Sequence, residues 1–150
     1  MKKNWVTITG LVLLSALVGS CAPQAAPAAV EPVTAEAVLT LSGPATQVSW
    51  SMVDLQGFET IKTDYTNKDG DTTTYTGIAF STLLAEAGID SLTSLTLVAA
   101  DEYTADVTAE ELAGCPNCIV AFDDGSLRSI MPDLSSKLNV KDLVEIRINQ

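Results

Sequence analysis

The side chains best placed to do chemistry in this sequence are two cysteines, Cys115 and Cys118, held three apart in Cys-Pro-Asn-Cys. A pair at this spacing has three chemistries open to it: a local disulfide, dithiol–disulfide exchange, or a share in a metal site. Exchange is favoured where the first thiol caps a helix N-terminus, because backbone N–H groups and the helix dipole lower its pKa. Here the order is reversed. A short helical pattern closes at Ala113-Gly114, and the β-type run Ile119-Val120-Ala121-Phe122 follows the pair. A structural or labile local disulfide is therefore the expectation, with redox exchange and metal binding as its rivals. A zinc site would also want a second Cys/His pair.

The rest of the polar inventory excludes more than it offers. There is no histidine, which removes Ser-His-Asp and Cys-His catalysis, histidine-ligated zinc and most haem ligation. Asn67, Asp69 and Asp71 resemble the opening of a calcium loop, but Ile78 stands where the closing bidentate carboxylate belongs. A polar hairpin tip is the better reading. Asp101-Glu102 and Glu110-Glu111 bring carboxylates without a neighbour that would raise a pKa for acid–base work. Trp50, Phe58 and Tyr103 either line a pocket or belong to the core. No catalytic residue and no metal ligand is expected.

Position in the cell is more legible than chemistry. Met1-Lys2-Lys3, the apolar run Trp5 to Val18 and the close Leu17-Val18-Gly19-Ser20-Cys21 have the layout of a bacterial lipoprotein signal. Cleavage before Cys21 would leave its thiol and amine to carry lipid, palmitate included, and several acyl chains make such an anchor durable. The apolar run also falls short of the roughly 20 residues of a spanning helix. The expected organisation is a signal peptide over 1–20, an Ala/Pro-rich tether over 21–37 and a single domain over 38–150. The expected location is the bacterial cell envelope, outside the cytoplasm, with the membrane as a partner through Cys21. Losing Lys2 and Lys3 with the signal moves the formal net charge from −11 to −13. An acidic surface repels phosphate backbones, so nucleic acid is not an expected partner. A small molecule or a redox protein remains open.

The elements that must position these groups read as strands first. Val38 to Ser42 alternates and stops at Gly43-Pro44, Gln47 to Met52 is β-prone, and Val53-Asp54-Leu55 suits a helical turn. Glu59 to Thr66 and Asp71 to Tyr75 flank Asn67-Lys68-Asp69-Gly70, a hairpin signal. Phe80, Leu83, Leu84 and Ala87 form one helical stripe with Gly88 at its stop. Leu95 to Ala100 is a nearly continuous apolar strand, expected to be covered on both faces. Tyr103 to Val107 alternates, and Thr108-Ala109-Glu110-Glu111 carries a capping box. Cys118 to Phe122 and Leu127 to Met131 flank the turn Asp124-Gly125. Ser136 to Asp142 suits a helical turn, and Leu143 to Ile148 alternates to the end. Many strands with two or three short helices, and no regular βαβ alternation, predict a single strand-rich α+β domain.

Several of these stretches, taken in order, resemble the oxidoreductase molybdopterin-binding domain of the sulfite oxidase family. They are Leu39-Thr40-Leu41-Ser42-Gly43, Tyr75-Thr76-Gly77-Ile78-Ala79-Phe80 with Leu83-Leu84 and Ala87-Gly88, Val98-Ala99-Ala100-Asp101-Glu102-Tyr103, and Met131-Pro132 followed by Val140-Lys141, Leu143 and Ile146. The resemblance implies that family's compact α+β fold. It implies a ligand face near the Tyr65–Gly77 hairpin and Asp101–Tyr103, with Tyr65, Tyr75, Asp101 and Tyr103 as candidate residues. It also implies molybdopterin as the cofactor to test. The sequence departs from the pattern in three ways, the first being that the family's basic residues and histidine that grip the pterin phosphate have no evident counterparts. The segment Thr63 to Asp71, where the family places a molybdenum-ligating cysteine, contains none, and Asp-Glu-Tyr replaces Asp-Gly-Tyr. The expectation is a binding or accessory module without a cofactor. A molybdopterin oxidoreductase with atypical ligation and a dithiol–disulfide protein using Cys115 and Cys118 are the alternatives.

Overall fold

A computed structural model describes residues 36–150, so Cys21, the signal and most of the tether lie outside the described residues. Nine strands and three short helices follow in chain order. They are β1 (Ala37–Ser42), β2 (Gln47–Ser51), α1 (Met52–Gln56), β3 (Ile61–Thr66), β4 (Thr72–Ala79), α2 (Phe80–Glu86), β5 (Ser94–Ala99), β6 (Thr104–Thr108), α3 (Ala109–Ala113), β7 (Ile119–Asp123), β8 (Ser126–Ile130) and β9 (Leu143–Asn149). A 3-10 turn, Ser136–Leu138, precedes β9. The strand-rich α+β architecture is as the sequence predicts. Among the described residues no helix is long and apolar enough to cross a membrane.

The strands form two sheets, one ordered β2-β1-β9-β5-β6 and the other β3-β4-β7-β8. All pairings are antiparallel except that of β1 with β9, where Thr40 faces Glu145 and Ser42 faces Arg147. Alternation along the strands builds the core. Leu39 and Leu41, Leu95 and Leu97, and Ile146 and Ile148 leave the first sheet on one face. They share a cluster with Ile78, Val120 and Leu127 of the second sheet and Phe80 and Leu83 of α2. Strand β5 is covered less completely than expected. Its Leu95, Leu97 and Ala99 enter the core, but Thr96 points the other way, donating to Asp106 at 2.5 Å and accepting from Asn149 at 3.1 Å. A central strand flanked by β9 and β6 need not be apolar on both faces when its outward hydroxyl is satisfied by cross-strand partners.

Turn and cap chemistry fixes the element ends. The β7–β8 hairpin turns on Asp124 and Gly125 at φ 45° and 86°, the two positive values of a type I′ turn. Ser51 caps α1 and Thr108 caps α3, each through a reciprocal capping box with Asp54 and Glu111. The Ser51 hydroxyl and amide hold the Asp54 carboxyl below its ordinary pKa, and the Thr108 amide and hydroxyl do the same for Glu111. Each box therefore stabilises its helix above the usual carboxylate range and loses that contribution as acid brings the pH down through the lowered pKa. Close approach governs Gly77. A Cβ there would lie 2.2 Å from the Val120 carbonyl oxygen and 2.5 Å from the Ala121 Cα, so only glycine lets β4 cross against β7.

One buried polar residue joins the second sheet to the segment that enters the first. Ser129 in β8 is fully buried. Its hydroxyl donates to the Leu138 carbonyl at 2.5 Å and accepts from the Val140 amide at 2.8 Å, while its own amide donates to the Val140 carbonyl at 3.0 Å. Ser129→Ala would leave one buried carbonyl and one buried amide without partners. It is expected to cost about 2–3 kcal/mol, read as a lower midpoint in urea unfolding with an unchanged slope. Ser129→Thr, which keeps the hydroxyl, should recover part of the loss.

Candidate functional site

Strand β3 is an edge strand, and the residues that continue from it face a polar cleft of about 590 Å³. Lys62 to Lys68 form one wall, Pro132–Leu134 and Ser136 the other, and Asn117 closes the gap between them. The hairpin tip is pre-shaped. Asn67 Oδ1 accepts from the amides of Asp69 and Asp71, both at 2.9 Å, and the Asn67 amide donates to the Asp71 carbonyl at 2.9 Å. The oxygen that would have opened a calcium loop is thus spent on the turn itself, as the failed sequence pattern anticipated. Among the described residues no group of three or more cysteine or carboxylate side chains is gathered to hold a metal ion.

The cleft's far end rests on the disulfide loop. Thr63 is 4 % exposed and donates to the Asn117 carbonyl at 2.8 Å, so β3 and the Cys115–Cys118 segment are held together by a buried bond. Cys115 and Cys118 are joined to each other, which is the structural outcome favoured by the sequence. Their surroundings explain why. Helix α3 ends before them, the Cys115 amide donates to the Leu112 carbonyl at 3.1 Å, and the Cys118 amide donates to the Cys115 carbonyl at 3.1 Å. The pair therefore follows the carbonyl end of α3, the wrong pole of that helix for stabilising a thiolate, while the first amide of α2, that of Phe80, is spent on the Cys118 carbonyl at 3.2 Å. Cys118 is 1 % exposed. Cys115 Sγ lies 3.8 Å from the Pro132 carbonyl oxygen, and both sulfur-bearing residues border a second, apolar cavity rather than the polar cleft.

Of the four candidate ligand-face residues, the structure brings two together. Tyr65 and Tyr75 lie on one face of the second sheet and pack on Ile119, Ala121 and Ile130. Only Tyr65 lines the cleft. Tyr75 is taken up by Arg128, whose guanidinium lies 5.2 Å from the ring centroid and donates to its hydroxyl at 3.2 Å and to Asp123 at 3.1 Å. Asp101 and Tyr103 belong to the β5–β6 hairpin of the other sheet. Asp101 accepts from the Tyr103 amide at 3.1 Å, and the Tyr103 hydroxyl donates to the Lys137 carbonyl at 3.1 Å. Tyr103 thus meets the same closing segment that walls the cleft, one residue beyond Ser136. Between Asp101 and Tyr103, Glu102 is held at φ 68°. That left-handed conformation is what the glycine of Asp-Gly-Tyr would supply without strain.

Thr63, Asn117 and the Pro132–Ser136 wall were not singled out in the sequence. Thr63 carried a signal, since it shares a strand face with Ile61 and Tyr65 and so had to be buried. The wall carried none. The cleft's chemistry is balanced: Lys62 and Lys68 against Asp64 and Asp133, with hydroxyls from Thr66 and Ser136 and amides from Asn67 and Asn117. Asp64 accepts from Thr74 at 2.5 Å. The two ion pairs found among the described residues, Arg128–Asp123 and Arg147–Glu145, involve no cleft residue. Such a set can bind a polar ligand through hydrogen bonds and compensated charge. It contains no nucleophile paired with a base.

No family model matches this chain, and no curated protein matches it in sequence. Its structure is similar to the crystal structure of the sulfane dehydrogenase SoxCD from Paracoccus pantotrophus, with a TM-score of 0.62 and 17% sequence identity over 74% of this chain and 37% of that one. The chain thus spans little more than a third of that neighbour's length. At this identity the likeness is one of fold alone, and it supports at a distant level the compact α+β fold implied by the resemblance.

Proposed function

We propose that this protein is a lipid-anchored, extracytoplasmic binding or accessory module built on an oxidoreductase-like fold, and that it works without molybdenum. The observation that carries the reading is the donor set of the cleft. Of the Thr63–Asp71 segment, where the resemblance places a molybdenum thiolate, Thr63 to Lys68 line the cleft, with Thr66, Asn67 and Lys68 in place of sulfur. The domain's two cysteines are bonded to each other and border the other cavity. Lys62 and Lys68 could face a phosphate, but Asp64 and Asp133 stand beside them and cancel the charge that burying a pterin phosphate requires. The residues present do not fit the metal centre. They fit a small polar ligand, or a polar stretch of a partner protein, held by amides, hydroxyls and paired charges.

Protein made in a host that synthesises the cofactor should therefore emerge without stoichiometric molybdenum and with no absorption beyond the aromatic band. Molybdenum that survives gel filtration and disappears on mutating a cleft side chain would establish the atypical oxidoreductase instead.

Anchoring rests on the sequence of the first 21 residues. Only a thiol accepts the diacylglyceryl group, so Cys21→Ser should abolish radiolabelled palmitate incorporation and leave the precursor unprocessed. A Ser variant that is still processed and labelled would sink the lipoprotein reading.

The dithiol alternative has its own readout. A two-residue gap closes a very small loop, so the disulfide constrains the unfolded chain little, contributing about 2 kcal/mol at most. The double variant Cys115→Ser/Cys118→Ser should fold with a modest loss of thermal stability and keep its activity in the cell. A variant that folds normally yet is inactive would favour redox exchange.

A further inference from the structure

The second cavity is separate in both place and chemistry from the cleft. It encloses about 370 Å³ and is bounded by residues of three elements and the disulfide loop. Leu84 comes from α2, Leu92 from the loop before β5, Leu112 from α3, and Cys115 and Pro116 from the disulfide loop, with Phe80 as buried floor. The three leucines are only partly buried although each packs against the core. Their remaining apolar surface faces one shared space. Among the described residues, Ser81 supplies the only hydroxyl side chain and no charged side chain lines the space.

The walls are tied to one another by the backbone. The Phe80 amide donates to the Cys118 carbonyl at 3.2 Å, fixing the start of α2 to the disulfide loop. The Ala109 amide donates to the Thr93 carbonyl at 2.9 Å, fixing the start of α3 beside Leu92. The disulfide and Pro116 stiffen the third side. A collapsible dent between helices would close on its own leucines. This one is framed by hydrogen bonds and a covalent link, so its volume persists and a ligand need not spend binding energy opening it.

We infer that this cavity is a binding site for a small, neutral, mainly apolar molecule, of the size of one or two fused rings and with at most one hydrogen-bonding group, for which Ser81 is the partner. The volume lies within the range of small-molecule sites, and the lining of apolar side chains with a single polar group is their usual composition. An anionic ligand would find no cation in the lining and a strongly acidic protein around it, and a cation would find no carboxylate there. The inference uses none of the cleft residues, so either reading can fail while the other stands.

Indole is a suitable probe, being neutral, bicyclic and provided with one N–H. The mature chain, residues 21–150 carrying Cys21→Ser so that it has neither signal nor lipid, would be titrated with indole without detergent while methyl NMR signals of the leucines are followed. The expected result is a saturable shift shared by Leu84, Leu92 and Leu112, with a Kd on the order of 1 mM. Ala113→Trp places a ring from an exposed position at the cavity lining and should weaken binding at least tenfold, as should Ser81→Trp from α2. Val53→Ser, at an exposed apolar residue elsewhere, should change nothing. Shifts that do not saturate, or that are the same in Ala113→Trp and Ser81→Trp, would overturn the site. So would indole binding that appears only after residues 22–35 are deleted, because that would make the chain's own tether the occupant.

Discussion

The hydroxyl of Ser129 is where the two sheets are made into one structure. Each sheet has its own ladder of hydrogen bonds, and an apolar interface alone would allow one to slide on the other. A fully buried side chain that both donates to Leu138 and accepts from Val140 allows a single register between β8 and the chain entering β9. The cleft depends on that register. Its outer wall, Pro132 to Ser136, is the link between β8 and this junction, and Asn139 secures it from within by accepting the Met131 amide at 2.7 Å. The Ser129 hydroxyl is satisfied as donor and as acceptor, and such a buried group costs little and specifies much, whereas the Asn139 side-chain nitrogen is buried without a partner.

Most of the elements were legible because their signals were local. Thr108 and Glu111 announce the start of α3, Asp124-Gly125 the β7–β8 turn, and the Phe80–Leu83–Leu84 stripe the helix α2. In each case the physics that fixes the element operates within a few residues. Ser129 was illegible for the opposite reason. In Leu127-Arg128-Ser129-Ile130 it reads as an ordinary polar position, and its partners lie nine and eleven residues away in a segment with no pattern of its own. For Thr63 the strand face announced burial, but its acceptor, 54 residues distant, left no signal. The fold was therefore readable from pattern, and so was the hairpin wall of the cleft, whereas the long-range junctions that bring Asn117 and the 132–136 wall against it were not.

Two positions show how far this chain has travelled from the pattern it resembles. Gly77 remains because the backbone of β7 passes where a side chain would be, a constraint no neighbouring change can relieve. At Glu102 the constraint is only conformational. A left-handed residue other than glycine costs about 1–2 kcal/mol, which a well-packed domain can carry. The contrast separates a position that the architecture requires from one where only the backbone conformation is demanding.

The pairing of β1 with β9 has a consequence for how the protein comes into being. Thr40 finds Glu145 across nearly the whole domain, and β1 is an interior strand of its sheet, flanked by β2 and β9. A chain that emerges N-terminus first, as at the ribosome, presents β1 first and β9 last. Until the final residues arrive, β1 and β2 have only a two-stranded hairpin to form, which is marginal in water. Closure of so long a loop is also among the slower steps a chain can take. The topology thus works as a timer: the domain becomes a closed body only once its last strand is available to pair with β1 and β5.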